Sequence, residues 1–220
     1  MGDFFSEYGP MLLDGTIDTI IMTLVATIAA YVIGLPVGVL LTISAPNGIK
    51  PNRTLHSVLG AIVNIVRSVP FIILLVAIIP FTRFVVGTSL GVPGAIVPLT
   101  ITAAPFVARM VEQSLAEVDG GLIEAAQSFG ASNWQIVYKV FLRESLPGLV
   151  RGLTMTFVTL FGFAAMAGTV GAGGLGDIAI RYGYQRYQTD VMIAAVVLCV
   201  IIVEVFQGLG NLVARKMDHR

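Results

Sequence analysis

The stretch TIIMTLVATIAAYVIGLPVGVLLTISAPNGI, residues 19–49, contains no charged side chain. A helix needs about 20 predominantly apolar residues to cross the hydrocarbon core of a bilayer, and this run exceeds that length. The composition of the whole chain agrees with it. Hydrophobic residues make up 56% and charged residues 12%, with a mean hydropathy of +0.89. Soluble domains carry about a quarter charged residues, so this chain has too few to cover a water-facing surface, and lipid is its expected solvent. The net charge of zero argues against a nucleic-acid partner.

Working outward from residues 19–49, the reading predicts an all-α membrane protein with five spans. The first covers about 17–43. The second covers about 55–81 and is interrupted only by Arg67. Residues 87–93 are glycine-rich and read as a loop, so the third span is about 92–111. The fourth is about 150–168, and the fifth about 191–213 with Glu204 as its one charge. The chain reads as one domain, 1–220, with no internal repeat. Its N-terminal segment is acidic and lacks the basic-then-apolar order of a signal peptide, so the first span is expected to act as its own insertion signal.

Lysine and arginine placement sets the orientation. With the N-terminus outside, the inner side receives Lys50, Arg53, Arg67, Arg109, Lys139, Arg143, Arg151, Arg215, Lys216 and Arg220, and the outer side only Arg83, Arg181 and Arg186. The opposite topology reverses that balance, so N-out/C-in is expected. The outer tail, with Asp3, Glu7, Asp14 and Asp18, carries no positive side chain.

The inner segment 112–149 is too long for a simple connection and is expected to have structure of its own. Asp119, Gly120 and Gly121 break a helix arriving from the third span. Residues 122–129 are good helix formers, with Glu124 in the first turn, where the helix dipole favours an anion. Gly130 suits the left-handed residue that ends a helix. Ser132 and Gln135 are spaced as a capping box, starting a second helix over 133–144, and Pro147 opens the fourth span. Two short helices joined by a tight Gly-Ala-Ser turn are thus predicted on the inner face.

Glu124-Ala125-Ala126, then Gly130, then Leu146-Pro147 resembles the EAA loop of the membrane-spanning permeases of bacterial ATP-driven (ABC) importers. The resemblance runs over about 17–213. It is closest to the methionine-importer branch through GLPVGVLL at 34–41, RSVPFIILL at 67–75, IPFTR at 79–83 and VGAGGLG at 170–176. It implies that Leu122, Ile123, Glu124, Ala125, Ala126, Phe129, Gly130, Ala131 and Pro147 form a coupling helix and its surroundings, docked on a separate ATP-hydrolysing subunit. One departure is Gly120, where a capping Ser or Thr is expected. The family's arrangement implies a second copy of this chain, two ABC ATPase subunits that bind ATP and Mg, and a periplasmic or lipid-anchored substrate-binding protein. It also implies location in the bacterial inner membrane, in contact with lipid, and import of methionine (D or L) or a related amino acid by alternating access.

No G-x-x-x-x-G-K-[ST] occurs, so the chain has no P-loop for ATP phosphates; nor does it contain H-E-x-x-H or paired metal ligands, and His56 and His219 are far apart. No catalytic site, cofactor or metal is expected. Cys199, in an apolar run, reads as a packing residue. Gly171 to Gly176 satisfies G-x-G-x-x-G, but a membrane span precedes it instead of a strand. A tight surface turn is the first reading and an outer gate the second. Phe163, Met166 and Thr169 approach that gate, and with Gly171 and Gly173 they are the candidates for the substrate path. Arg67 reads as structural, snorkelling or binding carbonyls freed around Pro70. Glu204 either pairs with a neighbour or faces the path. Tyr182, Tyr184 and Tyr187, with Arg181 and Arg186, read as an interfacial aromatic belt or as a contact for a binding protein. The rival class is an ion-coupled transporter or channel acting without an ATPase, which needs charged groups near mid-membrane; Glu204 is its main candidate.

Overall fold

A computed structural model describes residues 2–217, apart from the side chains of Asp3 and Phe5; Met1, the Asp3 carboxylate, His219 and Arg220 lie outside the described residues. All regular structure among the described residues is helical. The long elements are α1 (Gly2–Ser44), α5 (Gly91–Ala116), α9 (Leu146–Ala167) and α11 (Thr189–Met217). Shorter ones are α2 (Arg53–Arg67), α3 (Phe71–Ala77), α4 (Ile79–Val86), α6 (Gly120–Ser128), α7 (Asn133–Ile136), α8 (Leu142–Glu144) and α10 (Gly174–Ile178). Among the described residues, four helices are long and apolar enough to cross a membrane, and five spans result if α2 and α3 count as one bent span.

Two features depart from the sequence reading. The acidic N-terminal stretch is not a tail but the first part of α1, which begins at Gly2. It is held there because Leu12 is buried against the ends of α10 and α11, with Tyr8 packed beside it, and because the Gln188 side-chain amide donates to the Tyr8 hydroxyl at 3.0 Å. The stretch read as a continuous second span, 55–81, is broken. The α2 and α3 axes bend by 97° across Ser68–Pro70. Proline lacks an N–H and disfavours helical backbone in the residue before it. Pro70 itself takes ψ 136° as the N-cap of α3, while the Ser68 N–H turns back to the carbonyls of Asn64 and Ile65 at 3.1 Å each.

The core is organised by α1 against α5. Met22, Ala26 and Ala30 on α1 are buried with Leu99, Ala103, Val107 and Val111 on α5. Two glycines set the approach. A Cβ on Gly34 would stand 2.6 Å from the Ala104 carbonyl oxygen and 2.7 Å from Val107 Cβ, and one on Gly38 would stand 2.6 Å from both the Ala108 oxygen and Val111 Cβ. All four distances are well inside van der Waals contact, so only glycine fits at either position. Gly34-x-x-x-Gly38 places two bare backbone positions one turn apart on one face, the small-xxx-small device by which membrane helices gain dispersion contact without a hydrophobic driving force. Thr19, Thr23 and Thr27 are buried on α1 too. Each donates its hydroxyl to the carbonyl four residues earlier at 2.7 Å, so burial leaves no donor unpaired.

The remaining elements close around this pair. Arg109 on α5 ties α2 in place, donating to Asn64 Oδ1 at 3.0 Å and the Gly60 carbonyl at 3.3 Å while pairing with Glu112 at 2.6 Å. Phe157 of α9 stacks on Phe206 of α11 with ring centroids 4.0 Å apart. Outward faces carry large apolar side chains, among them Ile28 and Val32 on α1 and Ile193, Val200 and Leu209 on α11, all more than half exposed. That pattern suits a lipid surround.

Replacing Gly34 or Gly38 by alanine is expected to cost about 1–3 kcal/mol through overpacking. The thermal midpoint in detergent, followed by loss of the monodisperse gel-filtration peak, should fall for both. Gly208→Ala, where nothing lies within 4 Å of the added carbon, should leave it unchanged or raise it.

Candidate functional site

The segment between α5 and α9 is built by local capping. Asp119 is the N-cap of α6, its carboxylate accepting from the Gly121 N–H at 2.6 Å. The Asp-Gly-Gly triplet read as a helix breaker is therefore a cap followed by the first turn, and α6 begins at Gly120, two residues earlier than expected. Two consequences follow. The missing Ser or Thr at position 120 is immaterial, because the capping carboxylate sits at Asp119. Glu124 lies in the second turn instead of the first, so the dipole argument does not account for it. Phe129 closes the helix, with its N–H returned to the Ala125 carbonyl at 3.1 Å, and Gly130 follows at φ +76°, a left-handed backbone that glycine adopts without strain. The capping box is formed. Gln135 N–H reaches Ser132 Oγ at 3.3 Å, and the Ser132 N–H donates to Gln135 Oε1 at 2.8 Å. The second helix runs through α7, a π-helical turn over Val137–Phe141 and α8.

Burial divides the predicted coupling residues into two sets. Ile123, Ala126 and Ala131 turn inward and pack on the core below. Leu122, Glu124, Ala125, Phe129 and Gly130 face outward, Phe129 being 92% exposed. Trp134 and Tyr138, about one turn apart on the next helix, are exposed as well. Sequence reading missed these two aromatics. Their signal was present locally: Trp134 stands between Asn133 and Gln135, and Tyr138 stands next to Lys139. Pro147 is half-buried at the first turn of α9 and stands apart from the outward face. Ser145 beside it donates to the Ser114 carbonyl at 2.9 Å, and the Tyr31 hydroxyl donates to the Leu149 carbonyl at 3.1 Å. The hairpin thus rests on the joined ends of α5 and α9, with α1 bonded to the same junction. A cleft of about 560 Å³ separates α6 from the 45–49 loop after α1.

The other end of α9 carries the second group of candidates. Gly168 to Ala172 is a kinked turn whose backbone leaves the helix at Val170 and Gly171, and Gly171, Gly173 and Gly174 all have positive φ, at 93°, 78° and 77°. The chain reverses here into α10 with backbone against backbone: a Cβ on Gly176 would meet the Ala165 carbonyl. The turn is anchored on α1. Thr19 Oγ1 accepts from the Leu175 N–H at 2.9 Å, satisfying a donor at the start of α10, and a Cβ on Gly174 would stand 3.0 Å from Met22 Cε. This bond spans 156 residues, and no local pattern announces it. Phe163 stacks on Phe71 at 4.8 Å and 8°. Met166 is 47% exposed, and Thr169 donates to its carbonyl at 2.7 Å. Gly171 approaches the Leu90 side chain, while Gly173 lies near Asp18 of α1. The five path candidates are therefore not one cluster. Phe163 belongs to a cavity between α2, α5 and α9, and the other four to the turn beyond it.

Arg181 pairs with Asp177, and the Arg186 guanidinium lies 4.5 Å from the Tyr182 ring centre. Glu204 is exposed on α11, with no bonding partner among the described residues. Arg67 ends α2 and is exposed; among the described residues no carbonyl around Pro70 accepts from it, which removes the carbonyl-binding branch of its structural reading.

Comparison with known proteins places this architecture. The family model for the binding-protein-dependent transport system inner membrane component matches residues 34–219. A probable D-methionine transport system permease protein of Vibrio cholerae is 48% identical over 220 residues, covering 100% of this chain and 98% of that protein. The D-methionine transport system permease protein of Escherichia coli K12 is 56% identical over 158 residues, 72% of this chain and 73% of that one. A solved chain of the MetNI methionine ABC transporter, described as inward facing, superposes with a TM-score of 0.95 at 52% identity, covering 97% of this chain and 99% of that chain.

Thr19→Val should leave the Leu175 N–H without its acceptor and cost about 1–3 kcal/mol, seen as a lower thermal midpoint in detergent, whereas Thr19→Ser should retain most of it. From the match over residues 34–219 and the 48% identity to the Vibrio cholerae protein across the full length of this chain, the chain belongs to the binding-protein-dependent transport system inner membrane component family.

Proposed function

We propose that this chain is the membrane-spanning permease subunit of an ATP-driven methionine importer in the bacterial inner membrane. The observation that carries the reading is the exposed α6–α7 hairpin seated on the junction of α5 and α9, together with the full-length likeness to methionine permeases. The working unit is a homodimer, because the described residues of one chain offer four or five spans and a two-fold pair is the commonest closed assembly. Two ABC ATPase subunits that bind ATP and Mg complete the motor, and a substrate-binding protein delivers cargo from outside. The topology is N-out/C-in, with the bent α2–α3 pair as the second of five spans. Lys50 and Arg53 follow α1 at the end where the 45–49 loop faces α6, which supports an inner location for the hairpin by the positive-inside rule.

The mechanism follows from rigidity. Leu122, Glu124, Ala125 and Phe129 form the gripped surface, and Trp134 and Tyr138 extend it. Force applied there enters α9 through the Ser145–Ser114 and Tyr31–Leu149 bonds. Twenty-two residues of α9 make a lever of about 33 Å ending at Met166 and the glycine turn. Closure of the ATPases draws the two hairpins together and parts the two outer ends; hydrolysis reverses the movement. This is rocking of rigid halves around a central site. The methionine cargo suits soft, apolar walls such as Phe163 and Met166.

Co-reconstitution with the ATPase in liposomes tests the proposal. Methionine uptake should require both ATP and the ATPase. Glu124→Lys combined with Gly130→Trp should release the co-purified ATPase and reduce uptake by about tenfold or more, while the permease stays monodisperse. Uptake by this chain alone, or full retention of the ATPase by the double variant, would overturn it.

A further inference from the structure

A cavity of about 280 Å³ opens between α2, α5 and α9, close to the lower end of the roughly 300–1,000 Å³ typical of small-ligand pockets. Thr102 and Thr156 on its wall stand near the midpoints of α5 and α9, so it lies at about half the depth of the bundle. Its chemistry is sharply divided. One wall is apolar, with Phe106 and the Phe163 ring that stacks on Phe71. Among the described residues lining it, the one charged group is Arg67, exposed and without a hydrogen bond or ion pair among the described residues. Thr159 on the rim is exposed and donates to the Met155 carbonyl at 2.8 Å, which leaves its oxygen free to accept. Thr102 has a buried hydroxyl oxygen with no partner among the described residues.

An arginine without a counter-ion at this depth is costly, and such residues default to the pathway of a charged group. A guanidinium is a fork of donors matched to a carboxylate, always charged and bidentate. We infer that this cavity is a transient binding site for the cargo amino acid, with Arg67 holding the α-carboxylate, Thr159 accepting from the α-ammonium and Phe106 and Phe163 receiving the side chain. The inference rests on the importer reading above and adds to it the recognition of the cargo inside the membrane. An empty Arg67 is what a pathway needs, because a permanent internal anion would compete with the cargo. The same logic gives specificity by class: amino acids that keep a free carboxylate and bear an uncharged side chain fit, whereas carboxyl-blocked analogues leave Arg67 unpaired.

The test uses the detergent-purified complex of permease and ATPase without the binding protein. Equilibrium binding of radiolabelled methionine is measured and competed with unlabelled methionine and with methionine amide, in which the carboxylate is replaced. On the unaltered complex, the amide should compete about tenfold or more weakly than methionine. In Arg67→Gln, methionine binding should weaken about tenfold or more and the preference over the amide should vanish; Arg67→Lys should retain part of both. Thr159→Val should weaken binding while keeping the preference. Equal competition by the amide on the unaltered complex overturns the inference without any variant being needed. So does unchanged binding in Arg67→Gln, or an absence of methionine binding. Proteoliposome uptake separates the two levels: if ATP-driven methionine uptake persists where binding to this cavity fails, only the cavity assignment falls, and if uptake itself is absent, the importer reading falls with it.

Discussion

Close backbone contact between α1 and α5 at Gly34 and Gly38 is the constraint on which the rest of the structure depends. Neither position has room for a single carbon beyond the backbone. Inside a bilayer the hydrophobic effect gives helices no reason to associate, so stability must come from packing and internal bonds. With α1 and α5 locked, α2 is tied on through Arg109, α9 is bonded twice at its N-terminal end through Tyr31 and Ser114, and α10 is fixed through Thr19. Each of these connections begins on α1 or α5.

That arrangement is what the proposed coupling through a small exposed hairpin requires. The α6–α7 element has its own caps at Asp119 and Ser132 and a glycine stop at Gly130, so it holds its shape independently. Its inward residues bind it to the core, while its outward residues, Phe129 above all, remain uncovered. In the proposed mechanism, a partner gripping that face would move the ends of α5 and α9 on which the hairpin rests together. Interfaces of packed helices have discrete arrangements and do not deform smoothly, so the proposed mechanism carries a displacement to the glycine turn as a rotation of the whole unit.

How much of this was readable beforehand depends on the range of each interaction. Charge-free stretches announced membrane helices because hydropathy is a sum over neighbours. The capping box at Ser132 and Gln135 and the left-handed Gly130 were legible because a cap is local chemistry. The bend at Pro70 was not read, although the proline was in view, because an apolar window reports average hydropathy and not backbone direction. Asp119 was taken for part of a breaker because Asp-Gly-Gly fits either role until the next turn is seen. The Gly34–Gly38 spacing carried its own signal in an apolar run. The Thr19–Leu175 bond carried none, since its two ends are distant in the chain, and the same holds for the gathering of Arg67, Thr159 and Phe163 around one cavity.

The central claim is that each chain moves as a rigid body between its inner hairpin and its outer turn. Pulsed electron-spin distance measurements across the homodimer test it most directly, with one label per chain at Trp134 in one sample and at Met166 in another, each in complex with the ATPase and its binding protein. On adding ATP without hydrolysis, the Trp134–Trp134 distance should shorten and the Met166–Met166 distance should lengthen. A change at one end with none at the other, or changes of the same sign at both, would contradict rigid rocking.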